Sequence, residues 1–135
     1  MSASFVPAIF DYWKNKMGTN YYYRYNKCPC CDRYDELHIG KKSSGWQFSF
    51  YSPIDTDFHI EIRSYENWRN FMNCYEGYIY DEYGQIHTIG KFDDMVMLSL
   101  GESRNQFDYM KENGYNLERE WKDDLGFAFC SGEFS

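Results

Sequence analysis

Three of the five cysteines in this 135-residue chain lie in the run Cys28-Pro29-Cys30-Cys31. Thiols this close together are typical of metal or redox sites rather than of a core. Cys28 and Cys31 have the C-x-x-C spacing of a zinc knuckle, a tight turn that directs both sulfurs at one ion. Pro29 stiffens the turn, and Asp32 tolerates the positive φ that often follows one. The run therefore predicts a tight turn between two extended segments.

The turn provides two of the four ligands that a structural zinc ion needs. His38, seven residues after Cys31, is the nearest candidate for the third ligand. We expect a structural zinc ion bound by Cys28, Cys31, His38 and His59. The sequence leaves three other candidates for the fourth position, which are Cys130, Cys74 and Cys30. The alternative is a metal-free turn with three reduced thiols. A thioredoxin-like redox site is disfavoured because no βαβ pattern surrounds the motif.

The size and hydropathy of the chain point to one cytoplasmic domain. At 16.3 kDa the chain is long enough to bury a core, so we expect a single domain over residues 1–135. Mean hydropathy is −0.75, and the longest strictly apolar runs, such as residues 95–98, are far shorter than a membrane-spanning helix. Pro7, Asp11 and Lys14 interrupt the start before a secretory leader can form. The thiols are therefore expected to be reduced.

The net charge of −7 is distributed unevenly along the chain. Residues 1–42 carry seven basic and four acidic side chains, a balance of +3, whereas residues 43–135 carry seven basic and 17 acidic ones, a balance of −10. Such an acidic surface repels nucleic acid and favours basic protein partners, although it also simply maintains solubility. The chain has 14 Tyr, and tyrosine-rich surfaces suit recognition because each ring gives contact area at low entropic cost.

The first half of the chain predicts one helix followed by several strands. Apolar residues at helical spacing over 5–13 predict an amphipathic helix within residues 1–16. Alternation and β-branched or aromatic content then predict four strands, at residues 20–26, 36–40, 46–51 and 58–63. A turn over residues 41–45 joins the second and third of these strands. Ser64 is a good N-cap for a following helix whose apolar face is Tyr65, Trp68, Phe71 and Met72.

The second half predicts a hairpin, three more helices and a closing strand. Gly84 marks the turn of a hairpin over residues 78–89, with His87 exposed. Phe92, Met95 and Val96 predict a helix with two aspartates, 93 and 94, near its positive end. A capping box at residues 103–106 opens a helix that stops at Gly114, and a four-residue apolar spacing predicts a last helix over 116–126. With a closing strand at 127–129, we predict an α+β fold with a small, mainly antiparallel sheet and several short helices.

Other patterns give weaker indications of chemistry. Asp57, His59 and Glu61 alternate on a predicted strand and therefore share one face, which suits acid–base work but is more often a solvated surface. No nucleophile elbow, phosphate loop or H-E-x-x-H motif occurs. Residues 21–25 interleave tyrosines with Arg24, as base-stacking platforms do, although alternate tyrosines of a strand also pack on the two faces of a sheet. We therefore do not expect an enzyme.

A set of short motifs runs from residue 17 to the end of the chain. They are Met17-Gly18-Thr19-Asn20-Tyr21-Tyr22, Cys28-Pro29-Cys30-Cys31, Leu37-His38-Ile39-Gly40-Lys41, Gly45-Trp46-Gln47-Phe48-Ser49-Phe50, Asp81-Glu82-Tyr83-Gly84 and Gly132-Glu133-Phe134-Ser135. In these segments the chain resembles a family of small bacteriophage-encoded proteins of unassigned function. The resemblance implies a phage accessory protein with a Cys/His metal-like site at Cys28, Cys31 and His38. Relatives often carry a histidine where this chain has Tyr51. They also tend to start at the Met-Gly-Thr-Asn segment, so residues 1–16 are either an appended helix or a product of start-site choice.

These observations predict a non-enzymatic, phage-type accessory protein. It is expected to bind and modulate or inhibit a host or bacterial-defence protein in the cytoplasm of the bacterial cell. The first alternative is a nucleotide-binding protein that acts as a sponge, because Tyr and Trp clusters can stack a base. The second alternative is an enzyme that uses a zinc ion with an open coordination position. Homo-oligomerisation is left open.

Overall fold

The chain forms a seven-stranded sheet with helices packed on it. The computed structural model describes residues 18–53 and 61–131. Within these ranges the strands are β1 (Thr19–Tyr25), β2 (Asp35–Lys42), β3 (Ser49–Tyr51), β4 (Gly77–Asp81), β5 (Ile86–His87), β6 (Glu120–Lys122) and β7 (Ala128–Cys130). The helices are α1 (Tyr65–Cys74), α2 (Ile89–Leu98), which runs into a 3₁₀ turn at Ser99–Gly101, and α3 (Gln106–Glu112).

The strands lie in the spatial order β5-β4-β1-β2-β3-β7-β6. Every neighbouring pair is antiparallel except β3 and β7, which pair in parallel. The α+β class and the mainly antiparallel sheet are therefore confirmed. The strand predicted at residues 127–129 is also confirmed as β7, one residue later than expected.

Strict alternation in β1 defines the two faces of the sheet. Thr19, Tyr21, Tyr23 and Tyr25 are buried on one face, which we call the inner face, and Tyr22 and Arg24 lie on the opposite, outer face. Tyr23 is fully buried, and its hydroxyl lies 3.1 Å from the carbonyl oxygen of Met72 and 2.6 Å from that of Tyr75. An unpaired buried hydroxyl costs about 1–3 kcal/mol, so these contacts help to fix the end of α1 against the sheet.

The inner face carries a core that is mostly aromatic. Phe50 on β3 stacks on Phe129 of β7 at 5.0 Å between ring centroids, and Phe48 lies 4.5 Å from Phe50. Trp68 of α1 is fully buried and donates its indole N–H to the carbonyl of Tyr51 over 3.0 Å. Among the residues that the structure describes, a contiguous cluster of 16 buried hydrophobic side chains thus joins the sheet to α1 and α2.

The helix predicted after Ser64 is confirmed in detail. Ser64 is the N-cap of α1, and its hydroxyl accepts a hydrogen bond from the amide of Asn67. The buried side chains of α1 are those predicted from the apolar spacing, namely Tyr65, Trp68, Phe71 and Met72. The carboxylate of Asp123, from the turn before β7, accepts a hydrogen bond from the amide of Tyr65 over 2.9 Å. Sequence pattern and tertiary contact therefore agree on where this helix begins.

The predicted hairpin forms, but its second strand is short. Gly84 takes a φ of +85° in the turn, as glycine does readily. Asp81 is buried at the end of β4 and accepts hydrogen bonds from the amides of Tyr83 and Gln85, which stabilise the turn. His87, predicted to be exposed, is only partly so, because Nε2 lies 3.0 Å from Oδ2 of Asp81.

Two helix starts and one whole helix were predicted wrongly. α2 begins at Ile89 after the N-cap Thr88, so the aspartates at 93 and 94 lie beyond its first turn. The N-cap of α3 is Asn105, whose side chain accepts from the amide of Asp108, rather than Ser103. The helix predicted over residues 116–126 is instead a turn and the edge strand β6.

The predicted strands are also shorter than expected in one part of the chain. Trp46 makes only an isolated bridge to Arg104, so the strand predicted over residues 46–51 reduces to β3. Residues 61–63 are not in a strand, although Ile62 is buried. The remainder of that predicted strand, and the helix predicted within residues 1–16, lie outside the described residues. None of the described helices combines the length and apolar character needed to cross a bilayer.

Gly40 on β2 should be intolerant of any side chain. A Cβ at Gly40 would lie 2.1 Å from the carbonyl oxygen of Ser49 and 2.5 Å from a ring carbon of Phe48. We expect Gly40→Ala to lower the free energy of unfolding by about 1–3 kcal/mol or more, because the clash forces β3 away from β2. Urea denaturation followed by tryptophan fluorescence measures this change.

Gly90→Ala is the matched control for this prediction. Its Cβ would meet nothing within 4 Å, and the position is helical in α2. Alanine there should leave stability unchanged or raise it by up to about 1 kcal/mol. Equal losses in the two variants would contradict the close approach of β2 and β3.

Candidate functional site: a tyrosine-lined cleft

The outer face of the sheet around β1 and β4 is rich in tyrosine. Tyr22 and Arg24 of β1 lie beside Tyr80 and Tyr78 of β4, because the two strands pair in the register Tyr22 to Tyr80 and Arg24 to Tyr78. On the other side of β1, Glu36 of β2 pairs with Arg24. The fixed register of three antiparallel strands therefore brings aromatic and charged side chains together on one face.

Arg24 is held at the centre of this face. Its guanidinium carbon lies 4.2 Å from the ring centroid of Tyr80 and 4.7 Å from that of Tyr34. Nε donates to the Glu36 carboxylate over 2.7 Å. That hydrogen bond is the main cause that raises the pKa of Arg24, so the side chain stays cationic. Ring faces and one carboxylate thus orient a permanent positive charge.

A cleft of about 630 Å³ opens beside Arg24. It is lined by the end of β1, the loop over residues 26–34, the segment 74–77 after α1, and the outer face of β4. Three tyrosines at its margin are substantially exposed, and we call them the tyrosine rim: Tyr34 (43% exposed), Tyr75 (40%) and Tyr78 (61%). The volume lies within the range of ordinary ligand pockets.

The cleft mixes both signs of charge. Arg24 and Lys27 line it together with Asp32 and Glu76, so its formal charge from these four groups is zero. Asn26, at the end of β1, has a φ of +53° and donates its side-chain amide to Asp35 over 3.1 Å. This left-handed residue turns the chain from β1 into the loop that carries Lys27 and Asp32.

The cysteine run forms part of the same loop. The residues from Lys27 to Asp32 surround a shallow depression of about 470 Å³, and both of these end residues also line the cleft. The amide of Cys28 donates to the carbonyl of Arg33 over 2.8 Å, which closes the loop. A turn at the cysteines is therefore present. The positive φ expected at Asp32 does not occur. Among the described residues, Asn26 is the one non-glycine residue with a positive φ.

The Cys28 thiol has polar contacts within its own turn. Hydrogen bonds from the backbone amide of Cys30, and then from the thiol of Cys31, lower the pKa of the Cys28 thiol. Cys30 and Cys31 are exposed, and all five cysteines are free. Two neighbouring thiols, one of them with a lowered pKa, have the chemistry of half a zinc site.

The structure does not bring His38 to this half-site. Nε2 of His38 lies 2.9 Å from the side-chain oxygen of Asn20, and its ring contacts Tyr22 at 4.7 Å and Tyr51 at 4.0 Å between centroids. His38 pairs with Tyr22 in the middle of the β1–β2 ladder, three residues from Asp35. At about 3.3 Å per residue, that separates it from the loop by about 10 Å along the strand.

The other candidate ligands are also dispersed. His59 lies outside the described residues. Cys74 is exposed at the end of α1, where it lines the cleft, and Cys130 is buried with its thiol 3.4 Å from a carboxylate oxygen of Glu120. Within residues 18–53 and 61–131, no three His, Cys, Asp or Glu side chains form a group that could hold a metal ion. A zinc ion at Cys28 and Cys31 therefore stays a prediction.

The cleft itself was not predicted from the sequence. Its lining comes from four segments spread between residues 24 and 80, and only the fold brings them together. The one signal in the sequence was the run 21–25, in which Arg24 interleaves with tyrosines as in a stacking platform. The sequence left open whether that run is a stacking platform or a strand with tyrosines on both faces. The contacts of Arg24 with Tyr34 and Tyr80 depend on the tertiary fold.

Comparisons with protein-family profiles, with curated proteins and with solved structures give no match to this chain.

The zinc prediction can be checked by elemental analysis of protein purified under reducing conditions. We expect stoichiometric zinc in the wild type and its loss in Cys28→Ser and in Cys31→Ser, because a tetrahedral site needs both thiolates. Since His38 is held by Asn20, His38→Gln should retain the metal. A wild-type protein without stoichiometric zinc would contradict the prediction.

Proposed function

We propose that this chain is a non-enzymatic accessory protein of bacteriophage type that binds a host or bacterial-defence protein in the bacterial cytoplasm. The observation that carries the proposal is the tyrosine rim, formed by Tyr34, Tyr75 and Tyr78 around one cleft. Three partly exposed rings that line one cleft are unusual on a surface that serves only for solubility. The resemblance of the chain to small phage proteins supports the class of partner.

The rim suits protein recognition because its rings are presented on a rigid base. Tyr78 projects from β4, where the next residue, Ile79, is fully buried. Tyr75 follows directly after α1. Tyrosine loses little side-chain entropy on binding and offers both an apolar ring and a hydroxyl. Such residues are over-represented among those that dominate binding energy at interfaces. Tyr75 and Tyr78 therefore offer contact area beside α1 and β4, and Tyr34 adds to it from the residue before β2.

The charge of the chain favours a basic partner surface. The balance of −10 after residue 42 includes Glu76, which lines the cleft together with Asp32. Charge complementarity mainly raises association rates and selects partners. Binding is accordingly expected to weaken as ionic strength rises.

The partner interaction can be tested with a photo-crosslinking amino acid in place of Tyr78, expressed in bacteria. The expected result is a specific crosslinked protein that is absent when the crosslinker replaces Tyr115. Tyr115 is a matched control because it is also exposed, at 55%, and does not line the cleft.

The captured protein must then bind the purified chain through the same residue. We expect Tyr78→Ala to weaken that affinity about tenfold or more, and Tyr115→Ala to leave it unchanged. Identical crosslinks at positions 78 and 115, or an affinity insensitive to Tyr78→Ala, would refute the proposed surface.

A further inference from the structure

Arg24 lines the cleft, and its contacts with Glu36 use only part of its hydrogen-bonding capacity. Among the described residues, the hydrogen bond and the ion pair that Arg24 makes with Glu36 both involve Nε, so its two terminal nitrogens can take a ligand. The side chain is 33% exposed and lines the cleft. Two tyrosine rings and Glu36 fix its orientation, so the terminal N–H groups require little further ordering to bind an anion.

A phosphate group matches this arrangement. A guanidinium presents paired N–H donors in a plane, which suits bidentate contact with phosphate oxygens. Lys27 lines the same cleft and adds a second positive charge. Because Glu36 already neutralises part of the charge on Arg24, the site suits one phosphate group better than a chain of several.

The remainder of the cleft matches a nucleobase. Tyr78, the most exposed ring of the rim, offers a face on which a base can stack, an interaction worth about 1–3 kcal/mol for each base in other proteins. Tyr34 carries Arg24 over its ring and so brings an aromatic surface next to the guanidinium. Asp32 and Glu76 also line the cleft, and carboxylates accept hydrogen bonds from ring N–H and exocyclic amino groups. A volume of about 630 Å³ accommodates a molecule of this size.

We infer that the cleft between the loop over residues 26–34 and β4 binds a nucleoside monophosphate, with its phosphate on Arg24 and Lys27 and its base against the tyrosine rim. Since the cleft is formally neutral, the ligand is held by local pairing rather than by a long-range field. The acidic remainder of the chain disfavours longer nucleic acids at the same place. This small-molecule site is distinct from protein binding, although the two share the rim.

Isothermal titration calorimetry of the full chain tests the inference, with 5′-AMP, GMP, CMP and UMP as probes. The matching nucleosides and inorganic phosphate serve as partial ligands. At least one monophosphate is expected to bind with a dissociation constant below about 1 mM, and its nucleoside and inorganic phosphate should each bind at least about tenfold more weakly. No binding by any of the four monophosphates, or equal binding of monophosphate and nucleoside, would overturn the inference.

Arg24→Gln and Arg33→Gln separate a specific phosphate contact from bulk charge. Each removes one positive charge, but Arg33 does not line the cleft. Arg24→Gln should weaken the monophosphate about tenfold or more while leaving the nucleoside unaffected, and Arg33→Gln should change neither. Equal weakening by the two variants would show that only overall charge matters, and would overturn the site.

Tyr34→Ala and Tyr115→Ala test the stacking half of the site in the same way. Tyr34 lines the cleft and Tyr115, which is similarly exposed, does not. Tyr34→Ala should weaken both monophosphate and nucleoside, whereas Tyr115→Ala should weaken neither. Circular dichroism of each variant confirms that the sheet is intact. If crosslinking at Tyr78 captures a partner while no monophosphate binds, the nucleotide inference fails and the proposed function stands.

Discussion

Alternate tyrosines of the interior strand β1 are buried against the helices, and the remaining side chains of that strand lie on the outer face. Tyr21, Tyr23 and Tyr25 point into the core, so Tyr22 and Arg24 must point out of it. A one-residue shift in register would exchange the two sets, burying a guanidinium and exposing three rings. The aromatic core and the position of Arg24 therefore depend on the same constraint.

Arg24 is held at the centre of the outer face by side chains from the two neighbouring strands. Arg24 is flanked by β4 on one side and β2 on the other, and its contacts with Tyr80 and Glu36 follow from that order. The loop that contains the cysteines leaves β1 immediately afterwards, at Asn26. The three neighbouring thiols therefore lie on a loop whose ends, Lys27 and Asp32, also line the cleft. The cysteine run and the cleft are thus structurally linked.

Local sequence patterns correctly predicted the elements whose capping residues and apolar spacing agree with their tertiary contacts. Ser64 and the spacing of four apolar residues identified α1, because the cap and the buried face act within one helix. The last predicted helix failed for the opposite reason. Trp121 stacks on Phe129 of β7 and Leu125 is exposed, so their four-residue spacing reflects an edge strand and a turn rather than one helical face. His38 was assigned to the metal by proximity in sequence, yet antiparallel pairing carries it away from the cysteines.

The sequence by itself determined the class of fold, the turn at the cysteines and the two faces of β1, because each follows from periodicity or from turn chemistry within a few residues. The tertiary structure alone decided which side chains meet. It placed Tyr34 and Tyr80 against Arg24, brought Tyr75 and Tyr78 to the same cleft, and left His38 beside Asn20. Such contacts depend on strand order and register, which residues distant in the chain set jointly through burial of the core.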